Sequence, residues 1–156
     1  MSITRLPGTA PGRRPAVAYR DLVCAVAVSQ VETPSMREQT ESALQRIDER
    51  LRALGSDKAR ILQATVYIAD MARKAEMDAV WVGWAEKGSE PQRACVGVAL
   101  DGWHLVEIVV WAVRTEKRPA KAAAGKAAGK RPAAKAARGK APKAALKLRP
   151  KPLKRR

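Results

Sequence analysis

The chain has 156 residues, 31 of them Lys or Arg against 15 Asp or Glu, for a formal net charge of +16. Residues 1–116 hold all 15 acids and 15 of the bases, so the whole excess (31 − 15 = 16 cations) lies in residues 117–156. This pattern excludes a uniformly basic domain and describes a neutral body of ordinary single-domain size with a cationic tail.

The opening "MSITRLPGTAPGRR" is rich in Pro, Gly and Arg and lacks the apolar core of a secretory signal, so residues 1–14 are expected to be flexible. "AVAYRDLVCAVAVSQ" is Val-rich and broken at Arg20-Asp21, which fits one strand or a hairpin of two short ones. "SMREQTESALQRIDERLRALG" predicts a helix. Ser35 and Glu38 stand at capping-box spacing, Met36, Thr40, Leu44, Ile47, Leu51 and Leu54 share one face, and Gly55 is a natural stop. A strand is expected over about 62–69 from its β-branched content. Asp70 can cap a second helix ending at Gly88, with Met71, Met77, Val80, Trp81 and Trp84 inward. "PQRACVGVALDGWHLVEIVVWAVR" then reads as two strands joined by a turn at Asp101-Gly102. The order β(β)αβαββ argues for an α+β fold over residues 15–116, one sheet with two helices on one face.

The chain has no Phe, so Trp81, Trp84, Trp103 and Trp111 are expected to supply most of the large aromatic burial. No apolar run approaches the roughly 18 residues of a membrane span. One histidine, His104, and two cysteines cannot assemble a Cys/His metal cluster, so no metal site is expected. Cys24 reads as core and His104 as exposed beside the turn. The expected setting is cytoplasmic and reducing.

Two residues in the last segment carry chemistry. Arg93 opens the first strand, and Glu107 interrupts the apolar run "HLVEIVV". Strand residues alternate faces, so the turn decides whether they cooperate. A two-residue turn at Asp101-Gly102 sets Glu107 opposite Val96 and separates it from Arg93. A three-residue loop, Leu100-Asp101-Gly102, sets Glu107 opposite Cys95, with Arg93 on the same face. The sequence suits both turns. Structural roles compete as well: Arg93 as a strand-end charge or intersubunit salt bridge, Glu107 as a satisfied structural carboxylate.

The run "GSDKARILQATVYIADMARKAEMDAVWVGW", followed by "PQRACV" and "LVEIVV", resembles the YjgF/RidA family of enamine/imine deaminases across about residues 16–114. The resemblance implies a chorismate-mutase-like fold, a homotrimer and a site in each cleft between subunits. It further implies that Arg93 grips the carboxylate of a 2-imino or 2-aminoacrylate-like acid and that Glu107 positions the attacking water. Cys95 would line the cleft, and no cofactor is implied. Asp78 stands where the family usually carries asparagine, adding a negative charge near an anionic substrate. Tyr19 is the candidate for the aromatic that closes the cleft, and Ser29 and Gln30 match the family's "SGQ" loosely. The implied activity is hydrolytic deamination; the competing reading is an inactive trimer that serves as a scaffold for its tails. RNA cleavage, attached to some relatives, ranks last.

Residues 117–156 are low in complexity, with 16 cations among Ala, Gly and Pro, and are expected to be disordered. They resemble the tails of linker histones and bacterial histone-like proteins. Lys117, Arg118, Lys121, Lys126, Lys130, Arg131, Lys135, Arg138, Lys140 and Lys143 are the candidate nucleic-acid contacts. Such a chain neutralises phosphates of DNA or RNA without reading sequence, and its affinity falls steeply with salt. It has no aromatic residue for base stacking. It is not amphipathic, so no membrane partner is expected. Nucleoid association is an open alternative to a plain cytoplasmic setting.

Overall fold

Residues 2–115 are described in a computed structural model. The segment expected to be flexible contributes a short strand, β1 (Thr4–Arg5), paired antiparallel with β2 (Ala16–Tyr19). Arg20-Asp21 turn β2 into β3 (Leu22–Val28) with Tyr19 opposite Leu22, which is the hairpin alternative. Arg20 has φ 55°, the left-handed conformation that tight, right-twisted hairpin turns require. Arg114 clamps this turn: its Nε donates to Arg20 O at 2.5 Å and its backbone N–H to Asp21 O at 2.8 Å.

Helix α1 (Met36–Ala53) starts where the capping pattern places it, with Ser35 Oγ accepting from the Glu38 N–H at 3.3 Å. The return arm of the box is replaced. The Glu38 carboxylate accepts from Thr33 Oγ1 at 2.7 Å, and Thr33 Oγ1 accepts the Ser35 N–H at 3.2 Å. Met36, Thr40, Leu44, Ile47, Leu51 and Leu54 are all buried, as the helical spacing requires. Strand β4 (Ile61–Ile68) follows. Asp70 Oδ1 accepts from the Ala72 N–H at 2.9 Å and caps one 3-10 turn (Met71–Arg73), which leads into α2 (Lys74–Trp84). Met77, Val80 and Trp81 of α2 are buried, whereas Met71 is 49% exposed and lies outside the core.

The last two strands, β5 (Gln92–Gly97) and β6 (Val106–Val113), do not form the expected hairpin. The sheet order is β1-β2-β3-β6-β4-β5. β5 pairs parallel with β4, as strands joined through a crossover helix do, and β6 lies between β3 and β4. Residues 98–105 therefore straddle the end of β4: Val98 N–H donates to Ile68 O at 3.0 Å and Ala69 N–H to Leu105 O at 3.0 Å. Asp101-Gly102 turns inside this loop, with Gly102 at φ 59°. Gln39, fully buried on α1, holds the loop by donating to Trp103 O at 3.1 Å and accepting the Leu105 N–H at 2.8 Å.

Both helices pack on the sheet face carrying Val23, Ala25, Val66, Ile108 and Val110, and that layer is the core. The other face, with Cys24, Thr65, Tyr67, Glu107 and Trp111, holds only half-buried and exposed side chains. Cys24 is thus on the open face rather than in the core. Trp103 and Trp111 also depart from expectation, at 37% and 47% exposed; Trp81 is buried, and aliphatic side chains fill most of the space. Among the described residues no helix is long and apolar enough to cross a membrane.

Candidate functional site

Arg93 sits on β5 opposite Ala64, on the helix side of the sheet, in a strand whose one described partner is β4. Lys74, Met77, Asp78 and Trp81 fall at i, i+3, i+4 and i+7 on α2, so one helix face presents all four side chains to it. The guanidinium lies 5.1 Å from the centre of the Trp81 ring. Its Nη2 donates to Asp78 Oδ1 at 2.6 Å, and its Nη1 approaches Met77 Sδ at 3.9 Å. Lys74 Nζ bridges to the other carboxylate oxygen of Asp78. The result is a cluster of two cations on one carboxylate, partly open to solvent.

Burial pushes the Asp78 carboxyl upward, but hydrogen bonds from Lys74 and Arg93, with their charges, outweigh it and hold it below the ordinary range. Cys95 lies two residues along the same strand face, opposite Val66, and packs against the core. Burial pushes its thiol up, against the pull of the Lys74 and Arg93 charges. A thiol so raised is a poor nucleophile.

Glu107 is elsewhere. On β6 it stands opposite Val28 and Tyr67, whereas Arg93 aligns with Ala64. Ala64 and Tyr67 are an odd number of residues apart, so the two side chains project from opposite faces and are offset by about 10 Å along the strand. Neither turn geometry weighed from the sequence applies, because β4 intervenes between the two strands. Glu107 shares the open face with Tyr67 and makes no salt bridge with any described cation.

Tyr19 is on β2 opposite Leu22, which aligns with Val113. That is six residues along β6 from Glu107, roughly 20 Å. Within one protomer the structure gathers Arg93, Asp78 and Cys95, and leaves Glu107 and Tyr19 apart from them. Lys74 and Trp81, absent from the sequence candidates, complete this cluster; their spacing from Asp78 on one helix face was the available signal. Ser29 is buried and turns its Oγ onto Val31 O at 2.9 Å, a loop contact. His104 is half-buried with its ring 4.1 Å from that of Trp103, not exposed as expected. Among the described residues no group of three or more His, Cys, Asp or Glu could hold a metal ion. The tail cations lie outside the described residues.

The sequence pattern of the family described as Endoribonuclease L-PSP, also called YjgF/RidA, matches residues 24–114, more than half of the chain. The chain belongs to the YjgF/RidA family. It is 40% identical over 83 residues to a RutC family protein of Haemophilus ducreyi, spanning 52% of this chain and 70% of that one. A RutC family protein of Haemophilus influenzae is 41% identical over 74 residues, spanning 47% and 64%. Among solved structures, a YjgF-family protein of Neisseria meningitidis superposes with a TM-score of 0.70 at 37% identity, covering 74% of this chain and 98% of that one. A YjgF-family protein of Mycobacterium tuberculosis does so at 0.66 and 26%, covering 72% and 99%. The YjgF/RidA match takes in Asp78, Arg93, Cys95 and Glu107 and leaves Tyr19 outside it.

Proposed function

We propose that this YjgF/RidA protein hydrolyses small 2-imino or enamine acids, of the 2-aminoacrylate class, where Arg93 of one protomer meets Glu107 of a neighbour. The observation that carries the reading is Arg93 itself. Its guanidinium is braced on Trp81 beside Cys95, with 21% of its side chain exposed, at the sheet edge. Members of the family are typically homotrimers, and self-association would cover the open face that bears Glu107. A planar guanidinium takes a carboxylate by charge-assisted hydrogen bonds. Water then adds to the imine carbon, and the carbinolamine C–N bond breaks to release ammonia and a 2-oxo acid. Glu107 accepts the proton of the attacking water and returns it to the departing nitrogen. This chemistry calls on no cofactor.

The tail reading rests on composition. Residues 117–156 would bind DNA or RNA without sequence preference, and a trimer would present 3 × 16 = 48 tail cations to a polyanion. A second reading, an inactive trimer that displays these tails, draws support from the Arg93–Asp78 ion pair, in which a carboxylate of the chain itself already occupies part of the guanidinium.

The test is hydrolysis of 2-iminopropionate and related imines, generated in situ, by wild type, Arg93→Ala and a chain truncated after Glu116. The deaminase reading expects loss of rate in Arg93→Ala and retention in the truncated chain. Wild type giving no acceleration over buffer would exclude it and leave the scaffold. For the tail, duplex DNA should bind the full chain with strong salt dependence and release the truncated one.

A further inference from the structure

A carboxylate already occupies the group that would anchor the substrate. Asp78 binds Arg93 at 2.6 Å and is bridged from its other oxygen by Lys74. A bridge that served only to staple β5 to α2 would need one cation. Here a second cation is recruited, and the side chains remain 21%, 31% and 37% exposed for Arg93, Asp78 and Lys74. Arg93 also faces Trp81 and Met77, which are uncharged, and the Cys95 thiol lies near enough to feel all three charges. Within one protomer the cluster therefore sums to one positive charge, partly open to solvent.

We propose that Lys74 and Asp78 make the Arg93 site selective for monocarboxylates, with Asp78 as a built-in counter-carboxylate. A ligand with one carboxylate meets the single uncompensated positive charge, shared between Arg93 and Lys74. A second carboxylate on the same ligand meets Asp78 with no cation left to balance it. The imino acids served are then those with uncharged side chains, and imines derived from acidic amino acids are turned away. This rests on the reading of Arg93 as the carboxylate anchor, but its electrostatics do not depend on catalysis.

The experiment measures binding of pyruvate and 2-oxoglutarate, one-charge and two-charge 2-oxo acids, to the full chain by isothermal titration at fixed ionic strength. Wild type, Asp78→Asn and Lys74→Met are compared. Wild type should bind pyruvate more tightly. Asp78→Asn, nearly isosteric, should shift the ratio of Kd values toward 2-oxoglutarate by about tenfold, the change that follows from ~1.4 kcal/mol for one partly screened charge contact. Lys74→Met should weaken both acids. An unchanged ratio in Asp78→Asn overturns the proposal, as does failure of all three proteins to bind either acid. Turnover of the corresponding imines, run in parallel, separates the two readings. A shifted Kd ratio without hydrolysis in wild type sinks the deaminase and keeps the charge filter. Hydrolysis with an unchanged ratio does the reverse.

Discussion

Arg93 and Glu107 project from opposite faces of one sheet, because Arg93 aligns with Ala64 and Glu107 with Tyr67, an odd step along β4. No rotamer brings them together through a packed sheet. A reaction that uses both must take the arginine from one protomer and the carboxylate from another.

Subunit mixing tests that geometry directly. Arg93→Ala and Glu107→Gln should each abolish imine hydrolysis, yet co-expressed they should recover activity. In randomly mixed trimers roughly three quarters are hetero-oligomers, each with one of three clefts intact, so about one quarter of the wild-type rate is expected. No recovery in purified mixed trimers would mean that the two residues do not share a cleft across subunits.

Trp111 tests the open face. It stands beside Cys24 and Gln63, 47% exposed, in the middle of a sheet surface that the helices do not cover. Trp111→Glu should leave the helical circular dichroism signal intact and convert the protein to monomer in sedimentation. A variant that still sediments as wild type would place the interface elsewhere.

Gln39 is the polar residue whose loss should cost most. Its side chain serves three backbone groups: Thr33 O at 2.7 Å, Trp103 O at 3.1 Å and the Leu105 N–H at 2.8 Å. Gln39→Leu keeps the approximate volume and leaves all three without that partner, which predicts a loss of about 2–3 kcal/mol in denaturant unfolding. Hydrogen exchange should accelerate first at Leu105. A change under about 0.5 kcal/mol would mean that water replaces the amide at little cost.

Asp78 should give the fold an acid-sensitive increment. Its carboxyl is held below its ordinary value, so the stabilisation is fully present above the unfolded pKa and is lost as pH falls through the depressed folded one. With the side chain 31% exposed, solvent screening keeps the increment to under about 1 kcal/mol. The gap in urea midpoint between wild type and Asp78→Asn should hold steady down to about pH 5 and close below about pH 4. A gap that does not narrow at all with acidification would have to come from packing.

The sequence by itself determined what depends on neighbours along the chain. Helical spacing from Met36 to Leu54 identified the face that α1 buries, and Asp70 marked the start of the α2 region through its side-chain cap. The Val-rich runs were legible as strands, and the partition of charge separated a neutral body from its tail. Arg93 and Asp78 were legible as site candidates, and they do meet.

Strand pairing was decided only in three dimensions. Asp101-Gly102 is good turn chemistry and suggested a hairpin, but β4 offered β5 a parallel edge through the α2 crossover and left β6 to fill the centre of the sheet. Alternation says which residues share a face within a strand and nothing about which strand lies next to it. The same gap explains Trp111, which reads as a core aromatic and emerges on the open face. It also explains Glu107, whose face depends on β3 and β4 rather than on the turn before it. The cluster of Lys74, Asp78 and Arg93 joins residues of a helix and a strand, and only the packing of α2 against β5 turned three separate charges into one net positive cluster.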